Sequence, residues 1–259
     1  MNRLKALFKH YAAPNSLFSN LFQFLAIATT IVAIFSYGLT WWWLVAFLFY
    51  FLYYGVGVSM GNHRWLTHEQ FETYKPIEYL MLFLATVGHY FSPSGYAVIH
   101  DLHHRRADRE GDPHNPREKG FWRLTFWTYF MNDDIKGGRI RKYFNTKERI
   151  FFHRYNTLVK IGWIALLLLI SIEAFVFMWA VPFFATQLVS SFAVTLLHMV
   201  GYRNHDTKDE SRNNIPICYI NFGEWHNNHH ANPKAIHMGE KWWEIDPTAW
   251  LIYLIRKRG

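Results

Sequence analysis

The chain has 259 residues, with 27 Lys plus Arg against 19 Asp plus Glu, a formal charge of +8 and a hydrophobic share of 51%. That length suits one domain or at most two, and the apolar share excludes a disordered chain. Cys218 is the single cysteine, which excludes an intrachain disulfide, a four-cysteine iron–sulfur cluster and a rubredoxin-type site. We therefore expect one domain and no metal held by thiolates.

Two long stretches, residues 21–61 and 161–202, contain no Lys or Arg. Each can cross a hydrocarbon core of about 30 Å twice if it bends once. The sequence therefore predicts an all-α membrane protein with two helical hairpins, whose turns lie at Gly38 with Leu39 and at residues 180–182. Buried helices of a soluble protein are the alternative, but four such segments in two adjacent pairs argue against it. The predicted spans are residues 21–37, 40–60, 161–179 and 181–200.

Basic residues flanking the spans favour the cytoplasmic side. The first ten residues carry three of them, residues 101–160 carry 14, and the segment from residue 203 onward carries eight. We therefore expect both termini in the cytoplasm, together with a helical cap formed by residues 61–160 and 201–259. The whole chain, residues 1–259, is predicted to be one integral-membrane domain. The basic balance fits this topology and anionic lipids, so no nucleic-acid partner is expected.

Nine of the 15 histidines approach the same predicted face of the membrane. In HDLHH and HNNHH the spacing i, i+3, i+4 places three imidazoles on one side of a helix, as needed for convergence on a point. His63 and His68 are five positions apart, which turns about 500° in an α-helix. We expect the helix to end or distort between them, or the two to bind different metal ions. The nine are His63, His68, His100, His103, His104, His198, His226, His229 and His230.

Metal binding explains this crowding of imidazoles. Without a metal, protonation at the bilayer boundary would accumulate like charge. Neutral imidazole suits Fe, Zn, Cu and Ni, and nine ligands exceed what one ion uses, so two ions are implied. Two tetrahedral zinc ions would use eight ligands and leave little room for chemistry. Two five- or six-coordinate Fe(II) ions keep positions open for dioxygen, and iron is therefore favoured.

Acidic residues are expected around such a centre. Two Fe(II) ions bound by neutral imidazoles carry about +4, so carboxylates should accept the outer N–H groups of the ligands. For some acids near the histidines the alternative is a surface pair with a neighbouring arginine. The candidates are Asp101, Asp108, Asp112, Asp206 and Glu224.

The ordered motifs HRWLTH, HDLHH and GEWHNNHH, with GDPHNP after the second and HMVGYR after the fourth predicted span, resemble membrane fatty acid desaturases of the stearoyl-CoA and bacterial acyl-lipid type. The resemblance implies a four-span protein whose cytoplasmic cap holds two iron ions on the nine histidines. It also implies O2-dependent insertion of a cis double bond, with Δ9 as the expected position, into an acyl-CoA or acyl-lipid substrate. Acid–base catalysis cannot attack an unactivated methylene C–H bond, whereas iron with dioxygen can.

The acyl chain is expected to enter an apolar tunnel beneath the irons. The candidate lining residues are Gly57, Trp65, Tyr96 and Trp225, with ordinary helix packing as the alternative for each. One departure from the family concerns Val194, which stands where members often have an Asn that holds a water on one iron. Thr195 or Asn204 are the alternatives for that role, or the water is lost.

Two electrons must come from an external donor, a ferredoxin or a cytochrome, because no nucleotide, flavin, haem or thiolate-cluster motif is found in the sequence. The basic loop would attract an acidic donor. Two other functions stay open at this point. One is a hydroxylase of the same histidine-box superfamily, and the other is a membrane metal sensor without turnover.

Overall fold

The computed structural model describes residues 17–127 and 140–257, so the basic N-terminal segment lies outside the described residues. Within these ranges every regular element is a helix, and the β-structure is limited to two isolated bridges. The helices are α1 (Leu17–Ser36), α2 (Trp42–Thr67), α3 (Lys75–Gly88), α4 (Pro93–Arg106), α5 (Pro116–Lys119), α6 (Phe121–Trp127), α7 (Ile140–Tyr143), α8 (Lys147–Arg154), α9 (Asn156–Ile170), α10 (Ile172–Leu196), α11 (Ile215–Ile220), α12 (His226–Ala231) and α13 (Pro247–Ile255).

Three of the described helices, α1, α2 and α10, are long and apolar enough to cross a bilayer. Large apolar side chains on them face outward, including Phe35 of α1, which is 85% exposed. Helix α9 is also apolar but has 15 residues, which gives a length of about 22 Å. The turn predicted at Gly38 is confirmed, because this glycine lies between α1 and α2 with a φ of 54°.

The turn predicted at residues 180–182 is wrong. Helix α10 runs through these residues, and the break lies earlier, at Ser171, whose backbone is extended. The Ser171 hydroxyl accepts a hydrogen bond from the backbone N–H of Ala174 at 3.0 Å, which caps the new helix. Pro182 is tolerated inside α10 because the residues before it, Val176–Ala180, form a π-helical turn that adjusts the local hydrogen bonding.

Helix α2 changes its winding along its length. It is α-helical over Trp42–Tyr50 and π-helical over Phe51–Thr67. In a π-helix each N–H donates to the carbonyl five residues earlier, and the backbone N–H of His68 donates to the His63 carbonyl at 3.1 Å. The distortion expected between these two histidines is therefore present.

Close backbone packing holds α3 against α2. A Cβ atom on Gly57 would lie 2.7 Å from the Ala85 backbone nitrogen, and one on Gly88 would lie 2.4 Å from the Tyr53 Cβ. Side chains of α3 such as Met81 are fully buried there. One glycine on each helix, Gly57 of α2 and Gly88 of α3, thus lets the two approach closely, and this contact helps to position the histidines at the end of α2.

Candidate metal centre

The nine histidines singled out from the sequence lie in two adjacent groups. Within each group one nitrogen of every ring lies within 4.8 Å of the others, and no other histidine of the described ranges joins them. The five-histidine group is His63, His68, His100, His104 and His229, and the four-histidine group is His103, His198, His226 and His230.

Each triplet motif divides between the two groups. In α4, His100 and His104 point to the five-histidine group and His103 to the other. In α12 the arrangement is reversed, because His226 and His230 share the four-histidine group and His229 joins the other. The expectation that each triplet converges on one point is therefore wrong. In each triplet the first and last histidines, at i and i+4, point to one group, and the histidine at i+3 points to the other.

His63 and His68 belong to the same group, so the structure brings them together rather than directing them to different groups. Five residues make about one turn of a π-helix, which stacks the two side chains on one face. Their ring centroids lie 4.8 Å apart. The π-helical winding of α2 is therefore what makes the i, i+5 spacing usable.

The nitrogen distances in the five-histidine group fit a metal ion better than hydrogen bonds. The Nε2 atom of His229 lies 3.0 Å from that of His63, 3.1 Å from that of His68 and 3.0 Å from that of His104. A neutral imidazole has one N–H, so these contacts cannot all be hydrogen bonds. Nitrogens bound at about 2.1 Å to one ion, at right angles, lie about 3.0 Å apart, whereas tetrahedral ligands lie about 3.4 Å apart.

The four-histidine group gives the same indication. The Nε2 atoms of His198 and His226 lie 2.9 Å apart. The Nε2 atoms of His103 and His230 are buried and have no hydrogen-bond partner among the described residues. Buried nitrogens without partners cost free energy unless something binds them, and the donor set of imidazoles suits a transition metal.

The protonation of the rings is compatible with metal binding. Burial, with neighbouring imidazoles adding to it, lowers the pKa of His100, His104 and His229 well below the usual 6.5. Burial alone would raise the pKa of Asp112, but the nearby His103 outweighs it and holds that pKa at about 2. Those three rings are thus neutral and the Asp112 carboxylate is ionised, which is the state that metal ligands and their partners need, whereas Asp112 raises the pKa of His103 despite burial.

Four carboxylates each contact the Nδ1 atom of one histidine, on the side of the ring away from the group centre. Three of them, Asp108, Asp112 and Glu224, are among the acids selected from the sequence. The distances are 2.7 Å for Glu224 to His63, 2.9 Å for Asp112 to His103, 2.8 Å for Asp108 to His198, and 3.0 Å for Asp209 to His230.

Two other selected acids lie elsewhere. Asp101 pairs with Arg105 one turn along α4 at 3.1 Å, and the exposed Asp206 lies 3.6 Å from Arg203. Asp209 was missed, because Asp206 stands next to a histidine in the sequence and Asp209 does not. The only signal in the sequence is that several acidic residues occur close together in this loop. No rule of spacing shows which of them contacts a histidine.

Of the four candidate tunnel residues, Tyr96 lines an apolar cavity that reaches His100 of the five-histidine group. Gly57 instead contacts the backbone of α3, and Trp65 packs beneath the Arg149 guanidinium, 5.1 Å from its ring centroid. Trp225 is buried and donates from its indole N–H to the Ile245 carbonyl at 3.0 Å. Ordinary packing accounts for these three positions.

Val194 lines the same cavity as Tyr96. The two alternatives for the water-holding role differ in their free acceptors: the Asn204 Oδ1 is buried without a hydrogen-bond partner among the described residues, so it can accept from a water. The Thr195 hydroxyl donates to the Ser191 carbonyl of its own helix at 2.8 Å. The Asn204 side-chain amide donates to Asn228 at 2.9 Å and to Glu244 at 2.8 Å. The wall of the cavity beside the histidines is therefore apolar at Val194.

The segment after α12 braces both ends of the centre. Asn228, between two ligand positions in α12, donates to Glu244 at 2.9 Å and to the Met238 carbonyl at 2.8 Å. Arg64 is fully buried beside His63 and pairs with Asp246 at 2.9 Å and with Glu224 at 3.1 Å. These contacts join the helices that carry the histidines to the segment that follows α12.

Comparison with known proteins agrees with this geometry. The fatty acid desaturase family model matches residues 40–252. The chain is 32% identical to the sn-1 stearoyl-lipid 9-desaturase of Anabaena variabilis, over 83% of this chain and 80% of the relative. It is 33% identical to Delta-9 acyl-lipid desaturase 2 of Arabidopsis thaliana, over 86% and 72%, and 30% identical to icosanoyl-CoA 5-desaturase of Limnanthes douglasii, over 79% and 59%. The chain belongs to the fatty acid desaturase family.

Proposed function

We propose that the protein is an O2-dependent fatty acyl desaturase that introduces a cis double bond at the Δ9 position of an acyl-lipid or acyl-CoA. The observation that carries this proposal is the pair of buried histidine groups next to an apolar cavity. Two of the relatives compared above are named 9-desaturases. The comparisons favour neither the hydroxylase nor the metal sensor.

The metal ions are proposed to be iron, one in each group, with all nine histidines as ligands. Five nitrogen donors in one group exceed the four of a structural zinc site. Iron supplies the oxidising chemistry with dioxygen that breaks unactivated C–H bonds, which no side chain of the protein can do. The four carboxylates on Nδ1 atoms carry −4 in total, which balances about +4 from two divalent ions.

The cavity is proposed to hold the reacting part of the acyl chain. Its apolar wall at Val194 excludes water, and the ring of Tyr96 stacks on His100 with a centroid distance of 5.4 Å. A chain in contact with Tyr96 therefore lies next to a proposed metal ligand. The role of these residues is to place two neighbouring methylene groups beside the metal centre and to keep solvent away.

The proposed topology has four spans, formed by α1, α2, α9 and α10, with the histidines in a cytoplasmic cap and both termini in the cytoplasm. The break at Ser171 makes α9 and α10 a hairpin like that of α1 and α2. The shortness of α9 is compatible with this because a short span is accommodated by local thinning of the bilayer. The basic loop and the basic C-terminal segment support this orientation.

An external protein, a ferredoxin or a cytochrome, is proposed to supply the electrons. The loop of residues 101–160 carries 14 basic against eight acidic residues, which favours an acidic donor protein. High salt should therefore slow electron delivery more than it affects metal content.

Expression in a host with defined lipids tests the function. We expect new Δ9 double bonds, located by mass spectrometry, in cells that make the wild-type protein and none in cells that make His229→Ala. An alcohol that carries label from ¹⁸O2 would identify a hydroxylase instead. Absence of any new lipid product from an iron-loaded protein supplied with reductant would contradict the proposal.

A further inference from the structure

The two histidine groups differ sharply in the charge around them. In the four-histidine group three of the four rings have an ionised carboxylate on Nδ1, namely Asp108, Asp112 and Asp209. In the five-histidine group Glu224 contacts one ring, that of His63. The Nδ1 atom of His229, in the same group, is buried without a hydrogen-bond partner among the described residues.

Glu224, the carboxylate of the five-histidine group, also contacts a cation, Arg64, which it shares with Asp246. Arg64 donates from Nε to Glu224 Oε1 at 3.1 Å, and the Ser59 hydroxyl donates to the same oxygen. In the pair of His103 and Asp112, the carboxylate accepts backbone N–H bonds from Asp108 at 2.8 Å and from His114 at 2.9 Å. Both members of that pair are fully buried.

A carboxylate on Nδ1 makes an imidazole a more basic ligand, and electron-rich ligands stabilise the higher oxidation state of the ion they bind. The low dielectric of the interior strengthens the effect of each nearby negative charge. From this asymmetry we propose that the two metal positions are inequivalent, and that the ion in the four-histidine group is the first of the pair to be oxidised.

This inference rests on the proposed function in one respect, namely that both ions are iron. The step is the loss of one electron from Fe(II) in the four-histidine group, giving Fe(III), while an added one-electron oxidant such as ferricyanide is reduced to ferrocyanide. Asp108, Asp112 and Asp209 are positioning residues in this scheme, because they act on the ion through the histidines.

Asp209 offers the sharpest variant, because its side chain is partly exposed, at 15%, and an amide can keep the contacts to its loop. Asp206, in the same loop, is fully exposed and contacts no proposed ligand, so Asp206→Asn is the matched control for loss of one charge. Asp209→Glu keeps the charge and tests whether the carboxylate itself is what matters.

The experiment uses purified protein loaded with ⁵⁷Fe in detergent, reduced without oxygen and then given one equivalent of ferricyanide per protein. Mössbauer spectra of the wild type should show one ferrous component and one ferric component of equal area. In a stepwise potential measurement Asp209→Asn should move the first oxidation to higher potential, Asp206→Asn should leave it in place, and Asp209→Glu should restore most of the shift.

Oxidation of both wild-type irons together would overturn the proposal, whether or not Asp209→Asn retains its iron. An equal shift of the first potential in Asp206→Asn and Asp209→Asn would overturn it as well. The spectra separate this result from the proposed function: two-step oxidation without double-bond formation would refute only the desaturase assignment, and double-bond formation with equivalent irons would refute only the inequivalence.

Discussion

The rings of His63 and His68 lie 4.8 Å apart at their centroids although the residues are five positions apart, because α2 is π-helical there. Both belong to the five-histidine group. We expect His63→Ala and His68→Ala each to lower iron retention at the same position, from two ions per chain toward one. His198→Ala should remove the other ion instead. Elemental analysis, with Mössbauer spectra to identify which component is lost, checks this; loss of different components in His63→Ala and His68→Ala would contradict it.

Neutralising Asp112 should weaken the metal centre. Asp112 holds the Nδ1–H of His103, and loss of such a partner lowers metal affinity about 10- to 100-fold. Iron retained after graded exposure to a chelator measures the effect of Asp112→Asn. Asp101→Asn is the control, because Asp101 pairs with Arg105. Equal retention in the two variants would show that the contact with His103 does not support the ligand.

Gly57 is expected to act on stability rather than on substrate length. A Cβ at this position would lie 2.7 Å from the Ala85 backbone nitrogen, and overpacking of this kind costs about 1–3 kcal/mol. Gly57→Ala should therefore lower the melting temperature. At Gly162, in α9, a Cβ meets nothing within 4 Å, so Gly162→Ala should leave stability unchanged or raise it slightly. A stable Gly57→Ala protein with shorter products would instead place this residue in the tunnel.

Ser190 lines the cavity, and its hydroxyl is buried without a hydrogen-bond partner among the described residues. Ser190→Leu removes a polar atom and fills part of the cavity, so we expect normal iron content with a reduced yield of double bonds and a preference for shorter chains. Phe192, on the same helix, is 37% exposed and serves as the control through Phe192→Leu. An unchanged product profile in Ser190→Leu would remove the cavity from the substrate path.

The metal-free protein should lose stability as the pH falls from 7 to 5. Histidines whose folded-state pKa lies below the usual 6.5 bind protons more readily in the unfolded chain, so their contribution is complete above pH 6.5 and declines below it. His103, whose pKa is raised by Asp112 despite burial, opposes this trend but is a single group. The histidines with lowered pKa are His68, His100, His104, His226, His229, His230 at about 4, and His89 and His114 at about 3.

Melting temperatures of the metal-free protein in detergent at pH 7, 6 and 5 check this sign. The carboxylates do not contribute in this window, because the pKa values of Asp112 and Glu224 are held at about 2. A melting temperature that stays constant or rises toward pH 5 would contradict the neutral, buried state of the rings.

The sequence predicted which histidines lie together but not how they divide. Stretches without Lys or Arg and histidine spacing are local signals, and they led to all nine members of the two groups. His103 and His229 belong to opposite groups because of how α4 and α12 face each other. The spacing of residues within one motif does not determine that orientation. Asp209 was missed because it does not adjoin a histidine in the sequence, although it contacts His230 at 3.0 Å.

The predicted turn of the second hairpin shows a different limit of prediction from sequence. Pro182 is a strong helix-ending signal in water, and it led to a turn at residues 180–182. The structure continues the helix through it by a π-helical turn and places the break at Ser171, where a serine hydroxyl caps the next helix. Apolar surroundings make an unpaired carbonyl costly, so the chain rearranges its backbone bonds instead of ending the helix.

The bracing of α12 by Glu244 and of Arg64 by Asp246 has a consequence for biosynthesis. All nine imidazoles precede residue 231 in the chain, yet the side chains that lock their helices follow it. During synthesis the nine imidazoles are therefore present in the chain before the residues that hold their helices in place. A chain that ends before residue 244 would carry every imidazole without these contacts, and we expect it to retain iron less well than the longer chain.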